Sequence, residues 1–265
     1  MIIFNNLMKI QISDKKKKET FVSLFHVLKN CSSLISATFE TDYIHIQGMD
    51  KSHVCLFDIK INKKWFSEYT IEKVTRISFD SNVFHSIIST KSDNQDLIFK
   101  TDSNEETLHI HFVSPEIKKG DFKKYFKMPL AEYDYEELNI PIVEYDAEFI
   151  LSSKQISEIF TQLNNFGDDI IIKCSQDDIS LSTIGVTGEM RVDIPIDDLT
   201  SYSIIEDEEI TLTYSLTYIN KMCITNKLST EIEFSLSDKC PMKISYNLGD
   251  DSSLMFFMAP KMNDD

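Results

Sequence analysis

The sequence predicts an α+β fold of two similar domains, with helices on one face of antiparallel sheets. Three observations carry that expectation. A helix followed by a hairpin occurs four times, the helix starts fall roughly 60 to 70 residues apart, and a polar stretch marked by two prolines separates the second copy from the third.

In the first copy Phe21, Leu24, Phe25 and Leu28 recur at i, i+3, i+4 and i+7, which predicts an amphipathic helix over 19–31. Alternating strands follow near 36–40 and 44–47, joined at Thr41-Asp42. The second copy starts after Asp80-Ser81-Asn82, side chains suited to capping a helix, with Val83, Phe84, Ile87 and Ile88 apolar. Its strands are expected at 97–101 and 107–112, split by a polar turn over 102–105. The third helix is read over about 153–165, with Ile156, Ile159, Phe160 and Leu163 on one face and strands at 170–174 and 179–182. The fourth is read over about 216–225, with strands at 230–236 and 243–246. The aperiodic stretch between copies two and three reads as a crossing linker. The expected division is an N-terminal domain over 1–125, a connector over 126–145 and a C-terminal domain over 146–265.

Composition narrows the function. With 42% apolar residues among 265, the chain is expected to be globular, and no apolar run approaches a membrane span. Five scattered cysteines without a CxxC pair suggest reduced thiols, not a disulfide or zinc scaffold. The formal charge of −16 disfavours a simple nucleic-acid binder, unless positive charge is segregated onto one surface. Six glycines form no phosphate-binding loop, and no nucleophile stands paired with a base. His109 and His111 share a strand face but lack a third ligand, so no metal, cofactor or enzymatic role is expected.

Seven fragments occur in one order. They are Gln47-Gly48-Met49-Asp50-Lys51-Ser52-His53-Val54, Leu138-Asn139-Ile140-Pro141, Phe166-Gly167-Asp168-Asp169, Ser215-Leu216-Thr217-Tyr218-Ile219-Asn220, Leu228-Ser229-Thr230, Pro241-Met242-Lys243-Ile244-Ser245-Tyr246 and Ala259-Pro260-Lys261. Together they resemble the proliferating cell nuclear antigen family, the eukaryotic and viral-type DNA sliding clamps, from about residue 8 to residue 261. Met8 falls where that family usually begins, so residues 1–7 read as an extension.

The resemblance implies two clamp domains per chain, three chains closing into a ring around duplex DNA, and a processivity role in replication and repair. It implies no catalysis. The implied partners are DNA held without sequence preference, a DNA polymerase, a clamp loader, and peptide-bearing factors such as a flap nuclease or ligase. By motif position, a partner peptide would dock on Met49, His53, Leu56, Leu138, Ile140, Tyr145, Pro241, Phe257 and Ala259. Phe257 stands where the family often carries an aromatic hydroxyl. The DNA-facing positions would be Lys29, Lys221 and Lys227, with neutral Gln162 and Asn165, and the run Lys15-Lys16-Lys17-Lys18 could join them. The subunit contact would pair an edge strand over 121–130, with Phe126 and Met128, and one over 187–195, with Met190 and Val192.

The sequence departs from the family at several points. The third helix carries Glu158 and Thr161 where arginines are usual, and the fourth ends on Ile224 where a lysine is usual. Pro129 and Pro195 each remove a ladder donor from the expected edges. Gln176 replaces a lysine familiar as a modification site. These departures leave a second reading open, a non-encircling clamp-fold scaffold in transcription or checkpoint signalling. Abundant Lys, Asn and Ile relative to Gly and Ala suggest an AT-rich genome. The expected location is the nucleus, or a cytoplasmic replication compartment if the chain is virus-encoded.

Overall fold

The computed structural model describes residues 8–101, 106–116, 119, 121–133 and 137–261. The proposed extension at 1–7 and the turn at 102–105 lie outside the described residues. The chain divides into two compact units. Unit 1 comprises Met1–Gly48, Asp58–Glu137 and Leu248–Ser253, and unit 2 comprises Met49–Phe57, Leu138–Asn247 and Leu254–Asp265.

Unit 1 contains β1 (Met8–Ile12), α1 (Lys15–Cys31), β2 (Leu34–Phe39), β3 (Tyr43–Met49) up to Gly48, β4 (Cys55–Asn62) from Asp58 onward, β5 (Glu68–Ile71) and β6 (Thr75–Asp80). It continues with α2 (Ser81–Ile88), β7 (Asp96–Thr101), β8 (Thr107–Val113) and β9 (Lys124–Pro129). Five strands form one antiparallel sheet in the order β5-β1-β7-β8-β9, and β4-β3-β2-β6 run side by side in a second.

Unit 2 repeats the plan. Its elements are β10 (Ala147–Ser152), α3 (Ser153–Leu163), β11 (Asp169–Cys174), β12 (Asp178–Gly185), β13 (Gly188–Pro195) and β14 (Ser201–Ile204). They continue with β15 (Ile210–Ser215), α4 (Leu216–Met222), β16 (Glu231–Leu236), β17 (Met242–Gly249) up to Asn247 and β18 (Ser252–Met258) from Leu254 onward. The strand orders are β14-β10-β16-β17-β18 and β13-β12-β11-β15. Each copy is therefore strand, helix and three strands, one strand longer at each end than the helix-plus-hairpin read from sequence.

The helices form where apolar spacing meets a capping side chain. Asp14 accepts from the Lys17 amide at 2.8 Å, so α1 begins at Lys15 and the lysine run is its first turn, four residues earlier than expected. Asp80 caps α2 through the amides of Asn82 and Val83. Ser152 caps α3, which ends at Leu163, while α4 stops at Met222, short of the expected 225. Val83, expected on the apolar face of α2, is 47% exposed, whereas its neighbours Phe84 and Ile88 are buried.

The two cores differ in chemistry. In unit 1, Phe25 lies 4.5 Å from Phe84 and 5.0 Å from Phe21 between ring centroids, and Phe79, Phe99 and Trp65 complete an aromatic cluster. Such pairs add about 0.5–1.5 kcal/mol each beyond area burial. In unit 2, Phe149 stacks on Phe234 at 5.0 Å, and the rest of the helix support is mainly aliphatic, with Ile156, Leu163, Ile219 and Ile232 buried. Among the described residues, no helix is long and apolar enough to cross a membrane.

Candidate functional site

All nine expected docking residues fall in unit 2, including the segment from Met49 to Phe57, and none of them is buried. The segment is built around Asp50, which the sequence reading did not single out as a site residue. Its carboxylate accepts from the amides of Cys55, Val54 and Ser52 at 2.7, 2.8 and 2.9 Å, and from the Tyr218 hydroxyl of α4 at 3.3 Å. Burial alone would push this carboxyl up, but the donors outweigh it and hold the group below the usual carboxylate value. The turn closes with His53 in the left-handed region, at φ 56°. Its Nδ1 lies 3.1 Å from the Met49 sulfur, so these two expected site residues touch.

The remaining docking candidates present partial surfaces. Leu138 is 40% exposed, Ile140 is half-buried, and Ile142 and Val143, not selected from sequence, are also exposed. Residues 137–145 form no helix or strand. Tyr145 is half-buried beneath the Lys243 ammonium, 5.1 Å from the ring centroid, and burial raises its hydroxyl to about 12. Pro241 and Ala259 are exposed, and Phe257 lies half-buried on the outward row of β18. A surface of aliphatic and aromatic groups interrupted by a few polar ones is what an apolar peptide requires.

The expected DNA-facing groups lie on the helices or just beyond their ends, on accessible surface. Lys221, Lys227, Gln162 and Asn165 are exposed, and Lys29 is half-exposed in the last turn of α1. Beside Lys29, His26 of α1 stacks on His85 of α2 at 5.3 Å. Burial and then the Lys29 charge lower both imidazoles, His85 to about 4, so the pair is neutral at physiological pH. On α3 the exposed side chains are Lys154, Gln155, Glu158, Thr161 and Gln162, a nearly neutral row.

The lysine run does not act as one basic patch. Lys18 is 2% exposed and donates to the Asp93 and Gln95 carbonyls, Lys15 pairs with Asp93, and Lys17 pairs with Asp250. Only Lys16 of the four lacks a partner among the described residues.

The two expected subunit-contact strands, β9 and β13, lie at sheet edges. Phe126, Met190 and Val192 are partly accessible, but Met128 is 2% exposed and belongs to the unit 1 core. Met128 therefore offers almost no surface to a neighbour, a correction to the sequence expectation. The odd residues of β9 point outward and the even ones inward, a parity that sequence inspection of this short strand did not exploit. Pro129 and Pro195 are each the last residue of their strands, where a missing donor interrupts the ladder least. Gln176 is exposed, its amide donating to the Ile205 carbonyl. His109 and His111 share a face of β8, and among the described residues no group of three or more His, Cys, Asp or Glu is placed to hold a metal.

Comparison with known proteins gives two family matches. Residues 15–137 match the N-terminal domain of proliferating cell nuclear antigen, and residues 139–261 match its C-terminal domain. A relative, proliferating cell nuclear antigen 2 of Plasmodium falciparum (isolate 3D7), is 29% identical over 254 residues, covering 92% of this chain and 96% of its own. The tandem domains and the fourfold repeat agree with these matches, and the chain belongs to the proliferating cell nuclear antigen family, the DNA sliding clamps.

Proposed function

We propose that three copies of this chain close into a ring around duplex DNA and tether a polymerase, and with it a clamp loader and peptide-bearing repair factors such as a flap nuclease or ligase. The observation that carries the reading is the pair of clamp domains in tandem over nearly the whole chain. Function in this design is topological. A closed ring needs neither base contacts nor a catalytic group, because it leaves DNA only by opening or by reaching an end.

The helix layers then face the phosphates. Lys29, Lys221 and Lys227 supply charge, and Gln162 and Asn165 supply neutral donors, which hydrogen-bond phosphate without releasing counterions. Partner peptides dock on Met49, His53, Leu56, Leu138, Ile140, Tyr145, Pro241, Phe257 and Ala259, all of which keep surface in unit 2. The Plasmodium relative favours a nuclear location and lends nothing to a viral compartment.

Light scattering at micromolar concentration tests the assembly. The reading expects three times the 30.7 kDa chain mass. A stable species at 30.7 kDa would overturn the ring and bring forward a clamp-fold scaffold.

A further inference from the structure

We propose that the open edges β9 and β13 carry a charge code that selects a second copy of this chain, pairing Lys127 of one copy with Glu189 of the next. The inference rests on the ring reading above and adds the residues that set partner choice.

Each edge strand pairs on one side only, β9 with β8 and β13 with β12. An open edge presents unpaired backbone donors and acceptors, a template for another strand. On both strands the side chains sort into two rows. Phe126 and Met128 of β9, and Met190, Val192 and Ile194 of β13, turn inward, and burial deepens along each row. Tyr125 and Lys127 turn outward on β9, as do Glu189, Arg191 and Asp193 on β13.

The outward rows have opposite character. The side chains of Lys127, and of Lys123 just before β9, make no hydrogen bond or ion pair among the described residues, and neither does that of Glu189. Arg191 is already neutralised by Asp193 at 2.7 Å, which leaves Glu189 as the unspent charge of β13. A lysine-bearing edge alone would be explained as protection against aggregation. The unpartnered glutamate on the opposite edge is not explained that way.

Apolar surface flanks both edges. Phe122 and Tyr125 are 75% and 63% exposed, and Ile184 and Val186 at the start of the β12–β13 hairpin are 67% and 108% exposed. Antiparallel pairing with Phe126 opposite Met190 joins the inner rows, places Lys127 opposite Glu189 and Tyr125 opposite Arg191, and brings Lys123 to Asp193. A two-residue slip in either direction separates Lys127 from Glu189 and leaves both without an opposite charge across the ladder, which forfeits the cross-strand ion pair. The charges thus specify both partner and register.

The test compares wild type, Lys127→Glu, Glu189→Lys and the double variant by sedimentation across a dilution series, with circular dichroism confirming the fold. Each single reversal is expected to weaken assembly about tenfold, and the double variant to return within about threefold of wild type. Single variants that assemble like wild type, or a double variant no better than the singles, would overturn the charge code while leaving the ring intact. A monomeric wild type would overturn the ring reading and the inference together.

Discussion

The helix layers of units 1 and 2 come from the same strand–helix–three-strand repeat, yet they present different chemistry. Lys29 sits beside the stacked pair His26 and His85 on unit 1, whereas α3 of unit 2 shows Gln155, Glu158, Thr161 and Gln162. Beneath them, unit 1 holds its helices with an aromatic cluster and unit 2 mainly with aliphatic side chains. Unit 2 also supplies the Asp50 turn and every expected docking residue. The difference teaches that a polarity pattern fixes the repeat, while the outward residues remain free to specialise each copy.

The largest expected effect tests the unit 1 core. Phe25→Ala opens the centre of the aromatic cluster and is expected to cost about 3–5 kcal/mol in denaturant unfolding. Trp65, the single tryptophan and a member of that cluster, reports the transition by fluorescence. A loss below about 1 kcal/mol would show that the cluster does not hold the helices.

Next comes the positioning role of Asp50 in unit 2. Asp50→Ala leaves the Ser52, Val54 and Cys55 amides without their acceptor, a loss of about 1–3 kcal/mol, and partner-peptide affinity is expected to fall about tenfold or more. The Trp65 transition should stay in place. Because the folded carboxyl titrates below its unfolded value of 3.8, its contribution is complete above that pH and disappears only as pH falls through the folded value. Stability from this group should therefore be flat between pH 5 and pH 8, and a loss near neutrality would contradict the assignment.

A smaller effect belongs to single docking contacts. Met49→Ala or Ile140→Ala is expected to weaken a partner peptide by about 1 kcal/mol or more with the fold unchanged. Unaltered titration isotherms in well-folded variants would remove these residues from the site. The smallest effect sharpens the contrast between helix layers. Lys29→Ala should reduce the salt dependence of DNA binding by about 0.9 in log–log slope, while Gln162→Ala should leave the slope unchanged. Equal slopes for both variants would mean that Lys29 does not meet phosphate.

Much of the fold was legible because helix and hairpin polarity are strong signals. Phe21, Leu24, Phe25 and Leu28 marked α1, and the alternation in β7, β8, β11 and β12 marked the hairpins. The strand before each helix was less visible, since β10 runs from Ser152 directly into Ser153 of α3 without a turn residue between them. The start of α1 was hidden by its lysines, which read as a solvated charge run although Lys18 is buried against carbonyls. Met128 was misplaced because its hydrophobicity fits an interface as well as a core, and only strand parity separates the two.

The proposed docking residues were readable only through resemblance, since Met49, Leu56 and Ile140 by composition alone suit a core. The place of Asp50 at the centre of its turn was not readable at all. An acidic residue in a turn is ordinary, and its importance lies in three amides that folding brings to one carboxylate.

The central claim is that this chain encircles DNA, and retention on end-blocked duplex tests it most directly. Protein is allowed to thread onto linear DNA, both ends are capped with bulky groups, and high salt is applied. The account predicts that protein stays while both ends are blocked and leaves when the DNA is cut. Release at high salt with both ends still blocked would contradict it.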